Sequence, residues 1–312
     1  MKRLISALLF GQSLRHCPVA LRPSEQRPVR AIAVGGGAEQ DVTANLFPMS
    51  LSPLILGLAR DRHEAEPTAT IRMEDIASCH VLGSIAVSAA GSIDHAGVRI
   101  ELLRPTASSV RCMGPGSLAW KYLLAWRQAR RNARNPHAFK MSFADLRALN
   151  VFYMMPRPVY LISTVHEDAS NIFPMDLVGP LGGDGFLLAL RQTSPAVELM
   201  RGSGRIVAAG APAALKPAVY ALGAHHAKRS IDWRALPFAA EPSPEFKIPT
   251  LRGALGLREL RVIATKPVDS HMVFVTSVAT EAAAAADAPQ LCHVSDMYAH
   301  WRAREGRPFT AA

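Results

Sequence analysis

The pentapeptide Asn-Leu-Phe-Pro-Met at Asn45–Met49 returns as Asn-Ile-Phe-Pro-Met at Asn171–Met175. Carried on to Leu51 and Leu177, the match is five identities in seven positions. Arg-Pro-Val and an apolar run precede each copy: Arg27–Val29 before Ala31–Val34, and Arg157–Val159 before Tyr160–Ile162. A Leu-rich stretch ending in Arg follows each, Leu54–Arg60 and Phe186–Arg191. The phrases lie 126 positions apart (171 − 45) and the strand starts 130 apart (157 − 27). A strand–turn unit used twice accounts for both spacings, and such a repeat constrains every later reading of the fold.

The chain has 312 residues, enough for two domains of about 150 each and a sizeable core. Its hydrophobic share is 49%, yet no apolar run reaches the ~18–20 residues of a membrane helix. Leu4–Phe10 after Lys2-Arg3 has the outline of a signal sequence. Its apolar core is seven residues, and no small-x-small cleavage site follows before Arg15-His16, so a cytoplasmic location is expected. Cys17, Cys79, Cys112 and Cys292 are scattered without a C-x-x-C pair, which argues against a disulfide framework and a zinc site.

The net charge of +10 is partly local. Lys121, Arg127, Arg130, Arg131 and Arg134 fall on a predicted helix, Leu118–Asn135, beside Trp120, Tyr122, Leu123, Leu124 and Trp126. That pattern predicts a helix docked by its aromatic side with a solvated basic face. No nucleic-acid-binding motif accompanies it, so neither a nucleic-acid nor a membrane partner is expected.

Ala31–Val34, Val81–Ala89 and Val98–Leu103 are predicted strands, with Gly35-Gly36-Gly37 as a turn. The polar segment Asn132–Pro136 places a boundary near residue 138, giving units 1–137 and 138–312. Ser142 and Asp145 form a capping box for a short helix. Beyond Pro158 the pattern changes to short β-rich runs at Val159–Thr164, Arg205–Ala209, Leu257–Thr265 and Met272–Val278. Ser194-Pro195 opens a helix of one or two turns through Met200, and Ala282–Ala286 reads as a surface loop or helix turn. Many short strands with few helices predict a mainly β protein with helical inserts, in barrel form.

From about Pro156 to Thr280 the chain resembles the flavin reductase-like family with the FMN-binding split-barrel fold. The resemblance is carried by Arg157–Thr164 as the opening strand, Ser170–Asp176 as the flavin-facing turn and next strand, and Arg191–Ala196 entering a helix near the phosphate. Gly204–Ala208 and Ser270–Val275 follow as later barrel strands. It implies a split barrel in the C-terminal half and a degenerate repeat of it in the N-terminal half. It also implies an FMN cofactor and hydride transfer from NADH or NADPH to flavin N5. Reduced flavin then passes electrons to a small-molecule acceptor or a partner oxygenase. Family members often dimerise with flavin near the interface, which implies a homodimer or an internal pseudo-dimer here.

A flavin mononucleotide needs a dianion site, and a helix N-terminus supplies one. Arg191, Gln192, Thr193 and Ser194 stand at that place, with hydroxyls and a charge-assisted pair on offer. Phe173, Pro174 and Met175 suit an apolar wall for the ring, and Ser170, Asn171 and Asp176 suit its polar edge. Phe173 and Met175 fit a core role equally well, and Asn171 fits a turn. His226 and His271 are the candidate catalytic groups, since an imidazole near flavin N1 steadies the reduced ring.

In the first copy Asp61 follows Leu58-Ala59-Arg60 and would repel a phosphate, so one flavin site is expected, in the second half. A non-catalytic FMN-binding sensor or carrier would use the same contacts. A basic scaffold gripping nucleic acid through the Leu118–Asn135 helix is a third reading, with steep salt sensitivity.

Overall fold

A computed structural model describes residues 16–61, 68–95, 98–133, 140–282 and 288–312. The first unit contains β2 (Val29–Gly35), β3 (Ala38–Asp41), β4 (Leu46–Leu51), β5 (Leu54–Asp61), β6 (Thr70–Asp75), β7 (Val81–His95) and β8 (Val98–Val110), preceded by β1 (His16–Leu21). Helices α1 (Pro115–Ala133) and α2 (Phe143–Phe152) follow. Strands β9 (Arg157–Pro158), β10 (Tyr160–His166), β11 (Ala169–Met175), β12 (Val178–Gly182) and β13 (Gly185–Arg191) lead to α3 (Ala196–Ser203). Next come β14 (Arg205–Gly210), α4 (Lys216–Ala221), a short β15–β16 hairpin (Ala240–Pro242, Pro249–Leu251), β17 (Leu257–Val268) and β18 (His271–Ala282). The chain closes on β19 (Gln290–Ser295), α5 (Asp296–Arg304) and β20 (Thr310–Ala311). The fold is mainly β with helical inserts.

Two seven-stranded antiparallel sheets have the same strand order. One runs β3-β2-β6-β7-β8-β5-β4, the other β11-β10-β14-β17-β18-β13-β12. In the second, Ile162, Phe173, Val178, Phe186, Ile206, Leu260 and Phe274 share one core, so the sheet curls around it. Its edge strands β11 and β12 bring Phe173, Met175 and Val178 into that core without pairing with each other, which leaves the barrel split there. Alternation of buried and outward residues drives the curl, each fully buried Leu, Ile or Phe contributing about 1.5–3 kcal/mol.

The repeat is therefore real at the level of topology, but the pentapeptides do not correspond. Asn45–Met49 enters β4, whereas Asn171–Met175 lies in β11, one strand earlier. The backbone bond from Ala59 N to Asn45 O recurs as Ala189 N to Leu177 O, so Asn45 matches Leu177. The ladder β4–β5 is bulged after Pro48 and β12–β13 after Pro180, which matches those two prolines. Proline is tolerated there because both are edge strands and the bulge spares a ladder bond. The flanking phrases do correspond: Arg27–Val29 leads into β2 and Arg157–Val159, which includes β9, leads into β10, and the Leu-rich stretches form β5 and β13.

The two barrels pack on each other through Phe47, Met49, Ile55 and Ile100 from the first and Leu181, Leu187, Val273 and Val275 from the second. Gly179 sits under the Phe47 ring, where a Cβ would lie 2.8 Å from its Cδ1. A further sheet, β20-β1-β19-β9, ties the chain's two ends together. Helix α2 and the C-terminal residues Met297, Tyr298 and Trp301 complete the first barrel's core. Ser142 caps α2 as predicted, accepting from Asp145 N at 3.0 Å.

Helix α1 departs from expectation. Leu124 and Ala125 are buried, but Trp120, Leu123 and Trp126 are 52%, 43% and 41% exposed. The helix rotates so that Lys121 reaches Asp296, and the residues beside Leu124 make the contact instead of the tryptophans. Leu4–Phe10, the boundary near residue 138 and most of Ala282–Ala286 lie outside the described residues. Among the described residues no helix is long and apolar enough to cross a membrane.

Candidate functional site

A cavity of about 450 Å³ opens between the two barrels. Pro174–Leu177, at the end of β11 and the turn to β12, form one wall, and Ala189–Arg191, Thr193 and Ser194, from β13 into α3, form another. A 3-10 turn, Leu222–Ala227, brings Gly223, His226 and Ala227 to its rim. Leu51, from β4 of the first barrel, and His271, at the start of β18, complete it. Of the twelve sequence-predicted site residues, Pro174, Met175, Asp176, Arg191, Thr193, Ser194, His226 and His271 line this one cavity.

His226 is clamped on both sides. Its Nε2 donates to Pro174 O at 2.9 Å, its ring lies 4.7 Å from that of Phe173, and its carbonyl accepts from Ser194 Oγ at 2.7 Å. With Nε2 carrying the proton, the neutral ring keeps Nδ1 as an acceptor. Burial, with the nearby Arg191 charge, lowers its pKa. His271 is paired in the ladder with Arg191 and is buried. Burial first, and the Arg191 charge second, bring it down to about 4, so it is neutral near pH 7. Its Nδ1 lies 2.9 Å from Ser270 Oγ, which also accepts from Ser52 N at 3.2 Å and meets Ser50 Oγ at 3.0 Å. The first barrel thus holds the edge of the second barrel's cavity.

Arg191 and Thr193 are exposed at the entrance to α3. The helix begins one residue later than predicted, at Ala196, with Ser194 Oγ accepting from Ala196 N at 3.3 Å. Ser194 has both its donor and an acceptor engaged in this clamp. Gln192 turns away, its Nε2 donating to Asp269 O at 2.7 Å and His271 O at 3.2 Å. It positions the β17–β18 turn.

Asp176 lines the cavity, but its carboxylate is turned into the scaffold. Oδ2 accepts from Tyr153 OH at 2.9 Å and from His293 Nδ1 at 2.7 Å. Burial alone would raise this carboxyl. The His293 hydrogen bond and charge, helped by His16 and Tyr153, outweigh it and hold the group well below the ordinary carboxylate range. His293 in turn meets Tyr220 OH at 2.9 Å.

Ser170, Asn171 and Phe173 are not among the lining residues. Ser170 Oγ accepts from Trp233 Nε1 at 2.7 Å. Asn171 Nδ2 donates to His225 O at 3.0 Å and Lys228 O at 2.7 Å, tying β11 to the 3-10 turn. Phe173 is core. Sequence reasoning missed Leu51 and His293, which reach the site across barrels and from 117 positions away; no local motif marks either.

Among the described residues the first copy differs at the position of Arg191. The register that matches Ala59 with Ala189 sets Asp61 against Arg191, so a carboxylate stands where the second copy has a guanidinium, as the sequence led one to expect.

The class that the architecture defines is a mainly β fold of two barrels with the same strand order, with this cavity between them. No family model and no curated protein match the chain. Solved structures it is similar to include flavin reductases and FMN-binding proteins. An FMN-binding protein from Thermus thermophilus is 22% identical with a TM-score of 0.37, over 41% of this chain and 72% of that one. An NADH:FAD oxidoreductase from Streptomyces globisporus is 15% identical with a TM-score of 0.41, over 47% and 87%. The styrene monooxygenase flavin reductase from Pseudomonas putida S12 is 18% identical with a TM-score of 0.37, over 43% and 86%.

Proposed function

We propose that the chain is an FMN-binding oxidoreductase of flavin reductase type, using NADH or NADPH and passing electrons to a small acceptor or a partner oxygenase. The reading rests on one observation: an interfacial cavity in which an exposed Arg191 and Thr193, at a helix entrance, adjoin an apolar wall of Leu51, Pro174, Met175 and Leu177. The cavity size lies within the range of small-molecule sites.

The residues suit the cofactor's two ends. Arg191 and Thr193, at the entrance to α3, suit a phosphate dianion. Asp176, the acidic residue in the cavity lining, has its Oδ2 turned to Tyr153 and His293. Pro174, Met175 and Leu177 exclude water from the ring's face. His226 and His271 act as neutral hydrogen-bonding groups beside the Arg191 cation, which is the positive charge near the ring. When bound, FMN supplies the hydride chemistry, and the protein orients donor and cofactor. Units 1–137 and 138–312 form an internal pseudo-dimer, the second holding the flavin and the first closing its cavity.

The test is the visible spectrum of the purified protein, followed by anaerobic NADH or NADPH. Flavin bands that bleach support the enzyme; bands that persist leave a sensor or carrier. A protein that binds no FMN, or one whose Arg191→Gln variant binds it as tightly as the wild type, ends the assignment.

A further inference from the structure

The Arg-Pro-Val phrase that opens both units takes no part in the cavity described above. Its two arginines line a second one, of about 230 Å³. This cavity also lies between the barrels. Thr43 and Phe47 come to it from the first, Tyr160, Gly179 and Arg258 from the second. Arg27, two residues before β2, and Arg157, in β9 just before β10, hold corresponding positions in the two units. The lining includes three arginines and no aspartate or glutamate.

Arg157 is the unusual member. It is only 7% exposed, and among the described residues it forms no ion pair. One terminal nitrogen donates to Val178 O, while Nε is buried with no hydrogen-bond partner among the described residues. The Phe152 ring, 5.5 Å away, offers partial compensation. Asp176 attracts it at longer range, but that carboxylate is already shared by Tyr153 and His293. An arginine cannot shed its charge and carries five donors, so a buried one calls for an anion. Arg258 is paired with Glu281 and also donates to Tyr160 OH at 3.3 Å. Arg27 is exposed at the mouth.

We propose that this cavity binds a small tetrahedral dianion of the phosphate type, gripped between the paired arginines of the two repeats. A carboxylate has one edge and satisfies one guanidinium fork. Guanidiniums approaching from both barrels suit oxygens that point in different directions, and a dianion balances Arg27 and Arg157 together. The space is too small for a nucleotide and ample for phosphate. The anion would join the two barrels and stabilise the folded chain by mass action. This proposal does not depend on flavin binding in the other cavity.

The experiment is calorimetric titration of the full chain with inorganic phosphate, at neutral pH and fixed ionic strength. The Arg191→Gln variant serves as background, so that the other cavity does not contribute. One phosphate per chain is expected to bind to it. Adding Arg27→Gln, an exposed change that leaves the fold intact, is expected to weaken that binding at least tenfold. Arg157→Met is expected to abolish it. If Arg157→Met does not fold, the Arg27→Gln result still decides. Absence of phosphate binding to Arg191→Gln, or a loss below tenfold on adding Arg27→Gln, overturns the proposal.

Discussion

Replacing Asp176 by Asn tests whether the carboxylate between Tyr153 and His293 is an ionised, scaffold-bearing group. Its side chain is 19% exposed, and Oδ2 takes hydrogen bonds of 2.9 and 2.7 Å from elements far apart in sequence. Hydrogen bonds to a charged group contribute about 1.5–3 kcal/mol each, and removing one partner of a buried pair costs about 3–5 kcal/mol. Asn keeps an acceptor but no charge, so a loss of about 2–4 kcal/mol is expected at neutral pH. The pH dependence follows from the sign of the shift. The folded carboxyl titrates below the ordinary unfolded value of about 3.9. Its stabilisation is therefore complete above that value and is lost as pH falls toward the folded value. Below about pH 4 the gap between wild type and Asp176→Asn should shrink by up to about 1.4 kcal/mol per pH unit. Urea denaturation followed by tryptophan fluorescence, at neutral pH and at several points from about pH 5 to 3, measures it. A gap that stays constant across that range, or one that widens on acidification, refutes the reasoning.

Gly179→Ala places a Cβ 2.8 and 2.9 Å from two atoms of the Phe47 ring, a rigid neighbour. Overpacking of about 1–3 kcal/mol is expected in thermal denaturation, with partial recovery when Phe47→Leu is added. Ser270→Ala removes contacts to Ser50, Ser52 and His271, and should cost about 1–2 kcal/mol by the same assay. His271 is lowered from 6.5 to about 4, so its neutral form stabilises the fold above about pH 6.5. That contribution is lost as pH falls to about 4, and His271→Asn should flatten this part of the stability profile. A parallel profile in the variant would count against it.

Much of the architecture was legible in short stretches. The strands over Arg205–Ala209, Leu257–Thr265 and Met272–Val278 and the Ser142 cap all sit where local pattern put them, because each is decided within a few residues. Pro174, Met175 and Asp176 line one cavity with Arg191, Thr193 and Ser194, segments that the family resemblance had brought together. The pentapeptide misled because an apolar run of alternating period suits either of two adjacent strands. Only the ladder, through the Pro48 and Pro180 bulges, sets which is which. The tryptophans of α1 misled because aromatic character alone does not say which helix face is covered.

The sequence by itself determined that a strand–turn unit is used twice and that a mainly β barrel with capped helices results. Tertiary structure alone decided that Leu51 closes the second unit's cavity, that His293 fastens Asp176, and that Arg27 and Arg157 line one cavity. Those groups are brought together by burial between two curved sheets, an energy summed over the whole interface and written in no single segment.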